Sequence, residues 1–581
     1  MTRNRSVSTL LVLALALACG GEPTDPDPGG GPPPPGPPTP GPISACSQST
    51  EVSLQVGGHV VLDPVANSGC VRFPAADAGG AEYLYVALAT NGRESQAGSS
   101  VGYEIRGTPV VAASVAPLAG QRLAPALDPK LGKFGGPKTR EAFHGMLRSR
   151  ERVLSSAAPV PAFNRGVTAV GSAVVPPTVG HERTFKVCST SQCTGFVDVA
   201  ATARHVGPKG AIYVDNTVPV GGYTVADIAQ VGSLFDNYLY PIDTTSFGRE
   251  SDLDNNGVVV VLLTDQVNEL SGACNSLGSV ILGYFFGNDL LPGQNGSNSG
   301  EVFYGLVPDP NDTECTISRD YAIDLLAPTF IHEFQHMISF NQHVLVRGGF
   351  SEDTWLNEGL SHYAEELGGR QIPDAACSGG DCFTQFAGAD AQNAYEYLSN
   401  VESHFLVEPI PSSGTLEERG ANWLFVRWLV DQFGADDTGA AFTRALVGTS
   451  RLGSDNVAAV TGVPFSTLAP EWQLANFLDN LPGFTPVSPR LQYESWNFRA
   501  TYASFHEQAP TSFPREYPLV PDSSLTGVFA RTGVLRAGSG PHVVLVRPAQ
   551  GGSVTFQLTD EARRAIGASV AVPRVAIARI R

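Results

Sequence analysis

Basic charge is scarce in this 581-residue chain: 37 Lys and Arg stand against 56 Asp and Glu, a formal net charge of -19. A nucleic-acid partner would require a basic patch, so that class of function is set aside. The acidic balance favours solubility and cation binding instead. Long apolar runs are missing too. No segment reaches the ~18 uncharged apolar residues that a membrane-spanning helix needs. No internal repeat is visible. What is abundant is glycine and proline, 63 and 44 residues, which predicts many turns and a large β contribution in a chain too long for one domain.

Residues 1–19 carry Arg3 and Arg5, then an apolar run from Leu10 to Ala18 that ends at Cys19. This reads as an export signal. Ala16-Leu17-Ala18 fits an ordinary cleavage site, while Cys19 at the next position resembles the acylated cysteine of a bacterial lipoprotein, with Ala16 where Leu is usual. The expected location is therefore outside the cytoplasm, as an outer-membrane or cell-surface lipoprotein anchored through Cys19 or as a secreted protein. Residues 20–43, with their G-G-G-P-P-P-P-G-P-P, cannot bury a core and read as a stiff Pro/Gly-rich tether.

Setting Cys19 aside leaves an even number of cysteines, which behind an export signal favours disulfides. They fall into sequence neighbours: Cys46 with Cys70, Cys188 with Cys193, Cys274 with Cys315, and Cys377 with Cys382. Short loop closures favour those pairings. The two C-x-x-x-x-C loops are the alternative, as a second zinc site.

The most informative stretch runs from Pro328 to Leu367. His332, Glu333 and His336 spell H-E-x-x-H, and on a helix that spacing puts both imidazoles on one face, one turn apart. Two neutral imidazoles so placed can bind one Zn²⁺, with the adjacent glutamate within reach of a metal-activated water. Leu326, Phe330, Ile331, Phe334, Met337 and Ile338 surround the motif, so the helix should be buried, with Pro328 in its first turn. The pentad alone is also compatible with two core histidines bonded to backbone carbonyls. A second helix, Trp355 to Leu367, adds Glu358 at 22 residues after His336. Two His and one Glu leave a coordination position open, the ligand set of a catalytic zinc.

H-E-F-Q-H followed by W-L-N-E-G resembles the gluzincin metallopeptidases, and within them the hyicolysin-like bacterial enzymes. Asp252-Leu253-Asp254-Asn255-Asn256-Gly257, then Gly283-Tyr284-Phe285-Phe286, then Ser297 to Tyr304 follow in the family's order, over about residues 209–490. The resemblance implies Zn²⁺ on His332, His336 and Glu358, with Glu333 as the general base of peptide hydrolysis. It implies an α+β zincin-type catalytic domain, a mixed sheet followed by a helical half. Short alternating strands on either side of that region predict small all-β domains flanking it, in a multidomain chain. Some gluzincins carry an Asp four residues after the Glu ligand; this chain has His362 there. His362 and Glu365 are therefore the candidates to support His332, with a solvated acidic face as the other reading of Glu365. The residue that stabilises the oxyanion is not legible. Tyr395, Tyr397 and His404 are downstream candidates, each equally readable as ordinary packing.

The expected domains are 44–112 as a β-sandwich-like unit, 113–165 as a linker with a basic helix from Arg140 to Ser155, 166–207 as a small β module, 208–492 as the zinc metallopeptidase domain, and 493–581 as a C-terminal β domain. The basic helix reads either as a plain connector or as a propeptide lying across the active site. Asp252, Asp254 and Asn256 match the first half of a Ca²⁺ loop, but position twelve is Leu263, and an Asx-rich turn is the competing reading. Glu301 to Tyr304 is expected as the edge strand beside the cleft, where an extended substrate could pair. The expected function is a zinc endopeptidase acting on protein or peptide substrates. The alternatives are a lipid-anchored adhesion protein with an inactive peptidase core, and a zinc hydrolase with a non-peptide substrate.

Overall fold

The run Val258–Leu263 divides the middle of the molecule into two cores, because successive side chains of a strand point to opposite faces. Val259, Val261 and Leu263 enter one core and Val258, Val260 and Leu262 the other. The computed structural model describes residues 46, 49–95, 97–109, 139–157, 175–410, 414–524, 529–567 and 571–581. The expected export signal, Cys19 and the tether lie outside the described residues, as does the expected linker apart from its helix.

The sheet around this run contains β1 (Glu182–Cys188), β2 (Phe196–Val206), β3 (Gly210–Asp215), β4 (Val259–Leu263), β5 (Gly283–Phe285) and β6 (Val302–Gly305). Its order is β5-β6-β4-β3-β2-β1. The pairs β6–β4 and β4–β3 are parallel and the remaining pairs antiparallel. Two expectations are corrected here. The described part of the expected module 166–207, from residue 175 on, is not separate, because β2 pairs with β1 on one side and β3 on the other. Nor is β6 the edge. The three-residue β5 covers it, with Gly283 opposite Gly305, Tyr284 opposite Tyr304 and Phe285 opposite Phe303. So short a strand carries no periodicity of its own, and strand order is not written in local sequence.

Five helices build the site: α1 (Thr139–Ala157), α2 (Arg319–Phe340), α3 (Thr354–Gln371), α4 (Cys382–Ser399) and α5 (Leu416–Phe433). Ser318 caps α2, accepting from Tyr321 N at 3.2 Å. Pro328 consequently lies in the interior of α2 and not in its first turn. A proline there leaves the carbonyl four residues earlier without its helical donor. That carbonyl belongs to Asp324, and Gln385 Nε2 of α4 donates to it at 2.8 Å. α3 packs against α2, α4 and α5, and its whole length from Thr354 to Gly369 is buried.

Strands from the two ends of the chain interleave in two further sheets. One has the order Thr50–Glu51, Cys70–Phe73, Val554–Thr559, Ser100–Pro109, Phe529–Arg536; the other Asp522–Ser524, His542–Arg547, Ala81–Ala89, Pro573–Arg579, His59–Leu62. The strands of the two expected β domains, 44–112 and 493–581, thus form one sandwich whose inner faces share a core around Phe73, Tyr85, Tyr103 and Phe556, while the start of the second, with the helix Phe498–Gln508, belongs to the core of the helices through Phe498 and Tyr502. Leu84, Val86, Leu88, Ala576 and Ala578 face the other way and join the core of the helices. Alternation marks each strand but is silent about which partner, hundreds of residues away, completes the sheet.

Disulfides link Cys46–Cys70, Cys188–Cys193, Cys274–Cys315 and Cys377–Cys382. All four neighbour pairings are present, and the cysteines of the two C-x-x-x-x-C loops are therefore not zinc ligands. Among the described residues no helix is long and apolar enough to cross a membrane.

Candidate active site

α2 and α3 lie face to face, and three of their side chains converge. His332 Nε2 is 3.4 Å and His336 Nε2 3.7 Å from Glu358 Oε2. Ligand atoms of the three residues all lie within 4.8 Å of one another, and all three residues are buried. The two imidazole centroids are 4.8 Å apart, as one helical turn dictates.

Each imidazole is held from α3 as well. His332 Nδ1 lies 2.7 Å from Glu365 Oε1. Ser361 Oγ lies alongside His336, 3.0 Å from Nδ1 and 3.3 Å from Nε2. His362 is wedged behind, its Nδ1 3.0 Å from Glu365 Oε1 and 2.8 Å from Asp390 Oδ1. Burial opposes charge on His362, but Glu365 and Asp390 outweigh it and push its pKa up to about 10. Glu365 thus sits between two imidazoles. It is not the solvated acidic face that was the other reading, for Glu365 is buried.

Burial pushes the His336 pKa down to about 3, which keeps the ring neutral, the form that can ligate a metal. Burial alone would raise Glu358, yet Arg419, His336 and His332 outweigh it and hold the carboxylate well below its usual range. Arg419 Nη1 is 3.4 Å from Glu358 Oε1. Burial opposes charge on His332, but Glu358 and Glu365 outweigh it and raise its pKa, so this ring gives up a proton when it ligates. Two imidazole nitrogens and one ionised oxygen, desolvated together and supported from behind, fit the donor set of Zn²⁺.

Glu333 points to the edge of the sheet. Its Oε2 accepts from Phe285 N at 2.9 Å. Its Oε1 is 3.4 Å from His144 Nδ1 of α1. Burial pushes the Glu333 carboxyl up, a shift that a general base exploits. His332, Glu333, Glu358, His362 and Glu365 line one cavity together with Arg140, Glu141 and His144 of α1, Gln385 of α4 and Arg419 of α5.

The three oxyanion candidates are not in that cavity. Tyr395 OH is bonded to Arg515 N and O at 2.9 and 3.2 Å. Tyr397 OH meets Ser539 Oγ and Gln473 Nε2, both at 2.8 Å. The His404 ring lies 6.3 Å from that of Tyr397, on the same side of the molecule. The residues of α4 that reach the cavity are Gln385, Phe386 and Ala389, and the two tyrosines lie about two turns farther along the helix. Arg419 and His144 occupy the cavity wall instead. Thr415 and Glu418 form a capping box that announces the start of α5, but nothing local to Arg419 or His144 signals the site.

In the acidic loop, Asn256 Oδ1 is committed to Val258 N at 2.7 Å and its Nδ2 to Asp254 Oδ2 at 2.9 Å. The oxygens that converge are those of Asp252, Asp254 and Glu301. Glu301 already accepts from Ser251 Oγ at 2.5 Å and Leu253 N at 3.1 Å. Asn256 thus serves the Asx turn before β4, and the group there that could hold a cation is Asp252, Asp254 and Glu301.

No protein-family model matches the chain. Over 171 residues it is 29% identical to the neutral metalloprotease ShpI of Staphylococcus hyicus, an alignment covering 29% of this chain and 36% of that protein. The chain thus spans about a third of that relative's length. This similarity supports a relationship to metallopeptidases, and the buried His/Glu group supplies a place for the metal.

Proposed function

We propose that the chain is an exported zinc-dependent endopeptidase of gluzincin type that hydrolyses peptide bonds of protein substrates. The observation that carries this reading is the convergence of His332, His336 and Glu358 beside Glu333, whose other neighbour is the backbone of the edge strand β5. His332, His336 and Glu358 would hold the metal. When bound, Zn²⁺ supplies the Lewis acidity that acidifies water and polarises a peptide carbonyl. Glu333 accepts the proton of the attacking water and returns it to the departing amine. Glu365, behind His332, fixes the ring so that Nε2 faces Glu358. Arg419 keeps Glu358 ionised and places a cationic donor on the cavity wall, where developing negative charge on the carbonyl oxygen would be stabilised. Phe285 N holds Glu333 at the sheet edge, where an extended peptide backbone would lie. The presence of all four of His332, Glu333, His336 and Glu358 favours an enzyme over an inactive core serving an adhesion protein.

Elemental analysis of the purified chain and casein digestion with and without 1,10-phenanthroline test the proposal. The expected result is close to one zinc per chain and hydrolysis that the chelator stops and added zinc restores. A metal-free chain, or digestion indifferent to the chelator, would overturn it.

A further inference from the structure

Helix α1 is basic, amphipathic and distant in sequence from the zinc motif, yet it covers the mouth of the site. Phe143 and Leu147 are buried in the core on one face of the six-stranded sheet, and the Phe143 ring packs edge-on against Tyr284 of β5 at 5.1 Å. The polar side chains of the same helix turn to the outer edge of β5. Arg148 Nη2 donates to Phe285 O at 2.8 Å. Glu151 Oε1 accepts from Gly287 N at 2.7 Å, and the two side chains pair with each other at 3.2 Å. One turn earlier His144 reaches Glu333.

An exposed strand edge presents unpaired N–H and C=O groups, and an extended peptide binds such an edge by backbone pairing. Here the carbonyl of Phe285 and the N–H of Gly287 are already taken by a guanidinium and a carboxylate, both buried. A peptide backbone laid along β5 would need the Phe285 carbonyl and, where it runs past the end of the strand, the Gly287 N–H, and its scissile bond would need the space that His144 fills beside Glu333. We infer that α1 is a resident occupant of the substrate cleft, an autoinhibitory segment that imitates a paired strand with side chains and must leave before an extended substrate can bind. This inference rests on the peptidase reading for the identity of the competitor. The far end of α1 is fastened independently: Arg152 pairs with Glu94 at 2.6 Å and Asp353 at 3.2 Å, and Ser155 Oγ accepts from Ser351 N at 3.2 Å. α1 can therefore swing off the cleft from its N-terminal side while staying attached.

Two full-length variants test this. Arg148→Ala combined with Glu151→Ala removes the grip on β5, and Leu147→Asp puts a charge on the buried face of the helix. Each zinc-loaded protein is followed by the rate of zinc loss to excess dipicolinate and by kcat/KM on a short internally quenched peptide, with circular dichroism confirming the fold. The expected result is zinc loss at least 10-fold faster, and kcat/KM at least 10-fold higher through a fall in KM, in whichever variants fold. Faster zinc loss with no hydrolysis by any form would leave the covering role standing and count against the peptidase reading. Hydrolysis and zinc loss both unchanged in a folded variant would remove α1 as an occupant and leave the peptidase reading untouched.

Discussion

His332 is gripped from both ends of its ring, and the tighter contact is the one that faces away from the proposed metal position: Nδ1 lies 2.7 Å from Glu365 Oε1. Glu358 meets the other nitrogen of the same ring at 3.4 Å. The two glutamates are seven residues, about two turns, apart on α3, and the imidazole bridges them. They cannot both be ligands through one ring, and their roles separate.

Glu358→Ala is accordingly expected to abolish tight zinc binding, since it removes one of three donors. Glu365→Ala leaves all three in place and frees the His332 ring to rotate, so the expected loss is about 10- to 100-fold, the range of an outer-sphere carboxylate. Competition titration against a zinc-sensitive dye measures both. Affinities in the reverse order would exchange the two assignments.

How much of this was legible beforehand depends on the range over which each signal acts. H-E-x-x-H and N-E-G are local, so His332, Glu333, His336 and Glu358 can be read directly, as can α3, whose Glu365 shares a helical face with Glu358. Arg419 and His144 act through space. Their own neighbourhoods are a helix cap and a basic amphipathic helix; one reading of that helix lays it across the active site, but nothing in either segment singles out Arg419 or His144 as the residue that makes the contact. The same limit governs the sheets. Tyr83 to Leu88 is visible as a strand, but its neighbours are Pro573–Arg579 and His542–Arg547 from the other end of the chain. Pro328 misleads in a different way: a proline usually marks a first turn, and here the amide of Gln385, arriving from α4, supplies the Asp324 carbonyl with the donor that an interior proline takes away.

Glu333→Gln keeps the shape of the side chain and its ability to meet Phe285 N through the amide oxygen, but it cannot accept a proton. The expected outcome is unchanged zinc content and unfolding midpoint with peptide turnover reduced about 10²- to 10⁴-fold. Turnover near that of the parent protein would show that another group removes the proton.

A third glutamate of α3 has a purely architectural task. Glu366, fully buried, accepts from Trp423 Nε1 at 3.0 Å, Trp496 Nε1 at 2.8 Å and Arg370 Nε at 2.7 Å, with Arg427 Nη1 at 3.5 Å. Burial alone would raise its pKa, but Arg427 and Arg370 outweigh that and keep it ionised. Glu366→Leu strands two indole donors and weakens the pairing of a buried guanidinium, and breaking a buried pair costs about 3–5 kcal/mol. Urea unfolding should register that loss while zinc affinity in the folded variant stays within a few-fold of the parent. A loss below about 1 kcal/mol would mean that water or neighbouring groups replace the carboxylate.

The last prediction concerns acid. His542 opens the strand His542–Arg547 and lies against the helix Phe465–Leu478, its Nε2 at 3.0 Å from the carbonyl of Gln473. Burial disfavours the imidazolium and pushes its pKa down to about 4, although the carbonyls of Gln473 and Gly540 pull the other way. An unfolded chain has this histidine near its ordinary value of about 6.5. Between those two pKa values the unfolded state binds a proton that the folded state refuses, so the contribution of His542 to stability is complete above pH 6.5 and is lost as pH falls towards 4. At pH 5 that loss amounts to about 2 kcal/mol. His542→Gln retains an N–H for the Gln473 carbonyl and has no proton to take up. The stability gap between parent and variant should therefore shrink, or change sign, by about 2 kcal/mol on going from pH 7.5 to pH 5, as read from urea unfolding at each pH. A gap that stays constant over that range would show that the buried imidazole is protonated in the folded protein or solvated when it is protonated.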